Sequence, residues 1–224
     1  MANCHKYNYL LLAGVAAAML GGVAVASFLA KKRREALQKF AAASGFSFDP
    51  DALSIPPELL PLMSVFKAGS SRNFCNLLSR SSHGQTLLAF DYSYTTGSGK
   101  NRHTHTQTVI AFSCDQFLPQ FQLCPENLGH KLLQLFGYRD IDFTETPEFS
   151  KSYLLRGPEE TSVRSFFSME ARNMLQSAPG WTMEGAAQWL VLYKAGGTQK
   201  AEDLQAYIEQ ARTMASSFGL RIAA

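Results

Sequence analysis

The chain has 224 residues, 46% of them hydrophobic, with 21 Lys and Arg against 18 Asp and Glu and a formal net charge of +3. Six of the basic residues but only one acid precede Phe40, which leaves the remainder slightly acidic, 15 against 17. This balance argues against a nucleic-acid-binding domain, and Cys4, Cys75, Cys114 and Cys124, without paired spacing, argue against a secreted disulfide framework.

Residues 1–8 read as a short tail. Residues 9–30 carry no charge and are rich in Leu, Ala, Val and Gly. At about 1.5 Å rise per residue, such a run is long enough to cross a hydrocarbon core of roughly 30 Å as one helix. Lys31, Lys32, Arg33 and Arg34 follow at once. Cations flanking a span stay on the cytoplasmic side. The expected placement is therefore a single-pass protein of the inner membrane, with its N-terminus outside and its main domain in the cytoplasm. The same four residues would meet anionic head groups at the membrane interface, each contributing on the order of 1 kcal/mol. A cleaved signal peptide ending near Ala24-Val25-Ala26, with an exported domain behind it, is the competing reading. The length of the apolar run and the cations after it weigh against that reading. Gly14, Ala18, Gly22 and Ala26 recur every four residues, a stripe through which two such helices could touch in a homodimer.

Residues 31–44 extend the helix through good helix formers, and Gly45 is placed to end it. Residues 45–64 contain Pro50, Pro56, Pro57 and Pro61 and read as an irregular connector, packed through Phe46, Phe48, Leu53, Ile55 and Leu59. Residues 65–224 then form one α+β domain with a mainly antiparallel sheet and two to three packed helices. Strands are expected over 72–80, 85–95, 104–114 and 120–124. In the second, Leu88, Phe90, Tyr92 and Tyr94 alternate with Leu87, Ala89, Asp91 and Ser93. A helix over 128–136, a strand over 149–155 and a longer helix over 159–176 come next. A hairpin over 181–194, turning at Gly185-Ala186-Ala187, and a closing amphipathic helix over 200–218 complete the chain.

Four short stretches carry a resemblance: Phe90-Asp91-Tyr92-Ser93-Tyr94, Thr106-Gln107-Thr108-Val109, Asp140-Ile141-Asp142-Phe143 and Glu148-Phe149-Ser150-Lys151-Ser152-Tyr153. With the N-terminal run and basic cluster, this layout resembles a loose group of uncharacterised bacterial single-pass membrane proteins. The resemblance implies an anchored bacterial domain and no particular activity.

No residue can be assigned to catalysis, to a cofactor or to a metal. Gly97-Ser98-Gly99-Lys100 lacks the first Gly and the Ser/Thr of a phosphate-binding loop. His103 and His105 would share one face of a strand, but that is the ordinary consequence of a two-residue period. Asp140, Asp142, Glu145 and Glu148 read as a solvated loop, and Cys124 has no evident base. Phe90, Tyr92, Tyr94, Phe112, Trp181, Trp189 and Tyr193 read as core. The function these observations favour is a non-enzymatic binding or scaffold module at the inner face of a bacterial membrane. Its expected contacts are the bilayer through residues 9–30, anionic head groups through the basic cluster, and a protein partner or second copy. An enzyme acting on a membrane-proximal substrate is the alternative, and it would need polar groups such as His103, His105 and Asp91 converging in a cleft.

Overall fold

The computed structural model describes the backbone of residues 2–128 and 138–223, and the side chains of 21–22, 24–128 and 138–223. One helix, α1 (Ala2–Ser44), opens the chain and ends where Gly45 turns to a positive φ of 72°. Strand β1 (Ser47–Asp49), the short α2 (Leu59–Leu62), β2 (Ser70–Ser82), β3 (Gln85–Thr96) and the long β4 (His103–Pro125) follow. Beyond them come α3 (Pro147–Ser152), β5 (Tyr153–Arg156), α4 (Glu160–Phe166), α5 (Met169–Ser177), β6 (Trp181–Lys194) and α6 (Leu204–Ser216).

The expected transmembrane helix is corrected. Residues 9–30 and 31–44 are not separate elements but parts of α1, and among the described residues no helix is long and apolar enough to cross a membrane. Ahead of Lys31 the described side chains reach back only to Gly21, about half of the roughly 20 residues a crossing requires. The fold class is α+β with an antiparallel sheet and several helices, without the spanning segment. The helix expected over 128–136 lies almost wholly outside the described residues, as do the surroundings of Gly14 and Ala18.

Strand β4 is the axis of a six-stranded sheet. Its first half pairs with β3 without a break from Leu87↔Phe112 to Thr96↔His103. Its second half takes β5 on the same edge, through Gln122↔Arg156 to Pro125↔Tyr153. Along the opposite edge runs β6, from Val109↔Tyr193 to Leu123↔Met183. Strands β2 and β1 extend the β3 side, all antiparallel. The two strands expected at 104–114 and 120–124 are therefore one. Between Ser113 and Leu118 the register slips, because five steps along β4 span only two along β6, and Phe117 is pushed into solvent. The hairpin expected over 181–194 is likewise one strand. Ala187, with φ of 50°, marks its irregularity rather than a turn. The helix expected over 159–176 is two, because Ser168 breaks it and its Oγ accepts from Ala171 N to cap α5.

Alternation divides the core between the two faces of the sheet. Leu87, Ala89, Ile110 and Phe112 point to one face, which is covered by Leu37 and Ala41 of α1 and by Val163, Leu175, Ile208 and Met214 of the later helices. Leu88, Phe90, Tyr92, Tyr94, Val109 and Tyr193 point to the other. The proline-rich segment and the residues just after it lie across that second face, with Ala52, Ile55, Leu59, Met63, Val65 and Phe66 buried. This segment thus closes the second of the two core clusters. Leu59→Ala should cost about 2–5 kcal/mol, read from urea denaturation. A loss within 0.5 kcal/mol, typical of a surface site, would show that the segment is only a covering loop.

Candidate functional site

Two polar constellations lie within this apolar frame, one on each face. The first centres on Asp91, which the inward turn of β3 places under α1. Arg33 meets it side-on: Nε donates to Oδ2 and Nη2 to Oδ1, both at 2.6 Å. The third guanidinium nitrogen, Nη1, donates to Gln199 O at 2.7 Å. Asn76 Nδ2 donates to Asp91 Oδ2 at 2.9 Å and Thr108 Oγ1 to Oδ1 at 3.1 Å. Thr108 Oγ1 in turn accepts from Gln199 N at 2.8 Å. Asn76 reaches Asp91 because β2 slips its register there and Asn76 adopts a φ of 57°, a left-handed conformation asparagine tolerates.

The basic cluster is therefore not of one kind. Arg33 faces inward, Arg34 reaches Asp51 at 3.4 Å, and Lys31 and Lys32 are exposed. Gly22 and Ala26 of the small-residue stripe are exposed, beside the exposed Val25, Phe28 and Leu29.

The second constellation crosses three strands. Glu184 of β6, Gln122 of β4 and Arg156 of β5 are direct cross-strand partners in one row. They share the face opposite Met183 and Leu123. Glu184 is buried at the end of the proline-rich segment. Its Oε2 accepts from Ser64 N and from Ser64 Oγ at 2.6 Å, and its Oε1 accepts from Val65 N at 3.0 Å and from Gln122 Nε2 at 3.5 Å. Burial raises the Glu184 carboxyl above its ordinary range, against these hydrogen bonds, which favour the charged form. Arg156 Nε donates to Asp140 Oδ1 at 2.5 Å. The row lines a small, partly open cleft of about 20 Å³, walled by Leu62, Phe121, Tyr138 and Pro158. Gly185 keeps the cleft's inner wall close, since a Cβ there would collide with the Phe121 ring.

The other sequence candidates do not come together. Strand alternation puts Asp91 on the α1 face and His105 on the opposite one, where it stacks on Tyr94 at 4.8 Å and bonds Thr96 Oγ1 at 2.8 Å. His103 is exposed at the start of β4. Cys124 is fully buried, and burial pushes its thiol up to about 12, which makes it a poor nucleophile. Asp140 is tied to Arg156 and Glu148 to Lys151, while Asp142 and Glu145 are exposed. The aromatic set from Phe90 to Tyr193 is buried. Sequence reasoning missed the row at Glu184. The available signal was an acid in the apolar run Trp181-Thr182-Met183-Glu184-Gly185-Ala186, with Gln122 in a similar run of β4.

The fold is that of an antiparallel sheet clasped between an N-terminal helix with later helices on one face and an irregular segment on the other. A fold of this kind occurs in the crystal structure of the mycobacterial trehalose monomycolate transport factor A, TtfA. The two are 13% identical, with a TM-score of 0.57 over 84% of this chain and 92% of that one. No protein-family model matches the chain, and no curated protein does.

Arg33→Ala should cost roughly 3–5 kcal/mol, because it leaves Asp91 as an uncompensated buried charge. Arg33→Lys should recover little of that, since an ammonium cannot make the two-pronged contact; chemical denaturation of both variants checks this. A second expectation concerns Glu184. At low pH the folded and unfolded chains both carry its proton, and the group costs nothing. As pH rises through the ordinary carboxylate value towards the raised folded one, the unfolded chain loses its proton first and stability falls. The stability of the native chain relative to Glu184→Gln should therefore decline with rising pH across that window. A difference independent of pH in denaturation curves would contradict the assignment.

Proposed function

We propose that this chain is a non-enzymatic binding module that works against the inner face of a bacterial membrane in a lipid-transport process. The observation that carries this reading is the division of labour within the basic cluster. Arg33 locks α1 to the sheet, and with that helix held, Lys31 and Lys32 stand outward beside Val25, Phe28 and Leu29. Cations next to exposed apolar side chains on one helix suit the boundary between anionic head groups and acyl chains. The separation of Asp91 from His105 by the sheet supports a binding role over catalysis. The likeness to a trehalose monomycolate transport factor supports lipid transport as the setting.

Co-sedimentation of the full chain with vesicles tests the reading. Vesicles containing phosphatidylglycerol should bind it well above phosphatidylcholine alone, and binding should weaken with salt. At about 1 kcal/mol per cation, Lys31→Gln combined with Lys32→Gln should weaken binding roughly 30-fold. Equal binding to both vesicle types, unchanged in the double variant, would refute the reading.

A further inference from the structure

Acids are unevenly spread along the chain. Between Glu58 and Asp115 the one acid is Asp91, and Arg33 already neutralises it. The register of the strands gathers three exposed cations of that stretch, Arg72, Lys100 and Arg102, at one end of the sheet. Ser70↔Thr95 and Asn73↔Ser93 set Arg72 beside the end of β3, and Thr96↔His103 closes that end with the β3–β4 tip, which carries Lys100 and Arg102. The tip has a built conformation. Asn101 N donates to Ser98 O at 3.1 Å and Arg102 N to Gly99 O at 3.3 Å. Gly97, at a φ of 73°, lets the chain close so tightly that a Cβ there would collide with Asn101 O. No salt bridge among the described residues occupies Lys100 or Arg102.

Helix α1 points to the same end. Arg33 meets Asp91, and Ser44 O accepts from Arg80 Nη1 at 3.3 Å, where Arg80 is the cross-strand partner of Leu87. The helix therefore runs antiparallel to β3. Counted back from Arg33 at about 1.5 Å per residue, Val25 lies about 12 Å towards the tip. Thr95 lies about 13 Å from Asp91 in the same direction, at roughly 3.3 Å per residue. The exposed Val25, Phe28 and Leu29 thus approach the level at which the tip begins. We propose that the β3–β4 tip is a second membrane contact, in which Lys100 and Arg102 meet the phosphates of anionic lipid head groups, so that the domain stands on the bilayer by this end of its sheet. Cations alone would suit any polyanion. Cations at the same end as exposed apolar side chains of a helix suit a bilayer surface, which offers both anionic phosphates and hydrocarbon. Residues 95–107 contain no hydrocarbon side chain, so the tip meets head groups and leaves the acyl region to α1.

This contact rests on the membrane reading above, and the test separates the two. The full chain is titrated with vesicles of phosphatidylglycerol and phosphatidylcholine. Lys100→Gln combined with Arg102→Gln should weaken binding roughly 30-fold, as the loss of two surface cations does, and should reduce its dependence on salt. Both side chains are exposed and outside any salt bridge among the described residues, so the double variant should fold as the native chain does. Tryptophan reporters read the orientation against the buried Trp181 and Trp189. Asn101→Trp, at the tip, should be quenched by a lipid spin-labelled on its head group, whereas Ser81→Trp, at the opposite end of the sheet, should not. The proposal falls if the tip variant binds as the native chain does, if both reporters are quenched equally, or if a duplex oligonucleotide is bound more tightly than the vesicles. Vesicle binding that depends on Lys31 and Lys32 but not on the tip would overturn this contact alone. Equal binding to phosphatidylcholine alone, unchanged in either double variant, would remove the membrane reading and the tip contact with it.

Discussion

The first and last helices are registered to the sheet through one ion pair and the network around it. Asp91 sits in the middle of β3, where its alternation turns it under α1, and a lone carboxylate there would be costly. Arg33 makes the position tenable with two parallel hydrogen bonds, and its third nitrogen takes Gln199 O. Through Asn76 and Thr108 the same carboxylate reaches β2 and β4. Thr108 O then accepts from the Tyr207 hydroxyl of α6, which itself accepts from Lys194 N at the end of β6. Six elements thus share one network, and a shift in any of them would leave a polar group without its partner.

The opposite face is held on a different principle. There the proline-rich segment is fastened at both ends by backbone groups. Asn76 N donates to Pro50 O, and the backbone N–H groups of Ser64 and Val65 donate to Glu184. Between these fastenings the buried contacts are apolar. Irregular backbone is tolerated over a core only when its polar groups find partners, and Glu184 supplies acceptors where no strand could. The carboxylate that fastens the segment also borders the cleft, so covering the core and shaping the cleft depend on one residue.

Local periodicity made the sheet legible from residues 87–94, where large side chains alternate with small or polar ones, and the two faces follow that alternation. Periodicity could not show where a strand continues through an irregularity. Asp115 to Pro119 resembles a loop because it lacks alternation and contains a proline, yet pairing on both sides carries β4 through it. Gly185-Ala186-Ala187 resembles a turn for a similar reason. Its glycine instead serves the close approach of Phe121. The basic run had a plain reading as a uniform cluster, and only the long-range partner Asp91 separates Arg33 from its neighbours. Gln122 and Glu184 were visible as polar residues in apolar runs, but their common row depends on a register no single segment contains.

The central position of β4 also sets an order of events as the chain is made. Its first edge partner, β3, immediately precedes it, so that hairpin can close as soon as β4 emerges. Its other edge waits for β6, about 70 residues further on, which at roughly 5–20 residues per second is a delay on the order of ten seconds. During that interval a 23-residue strand presents open backbone groups along one side, the kind of edge that recruits strands from other chains. The bulge that throws Phe117 outward interrupts this edge near its middle. It divides a long adhesive ribbon into two shorter ones, and so guards the nascent chain until its own last strand arrives.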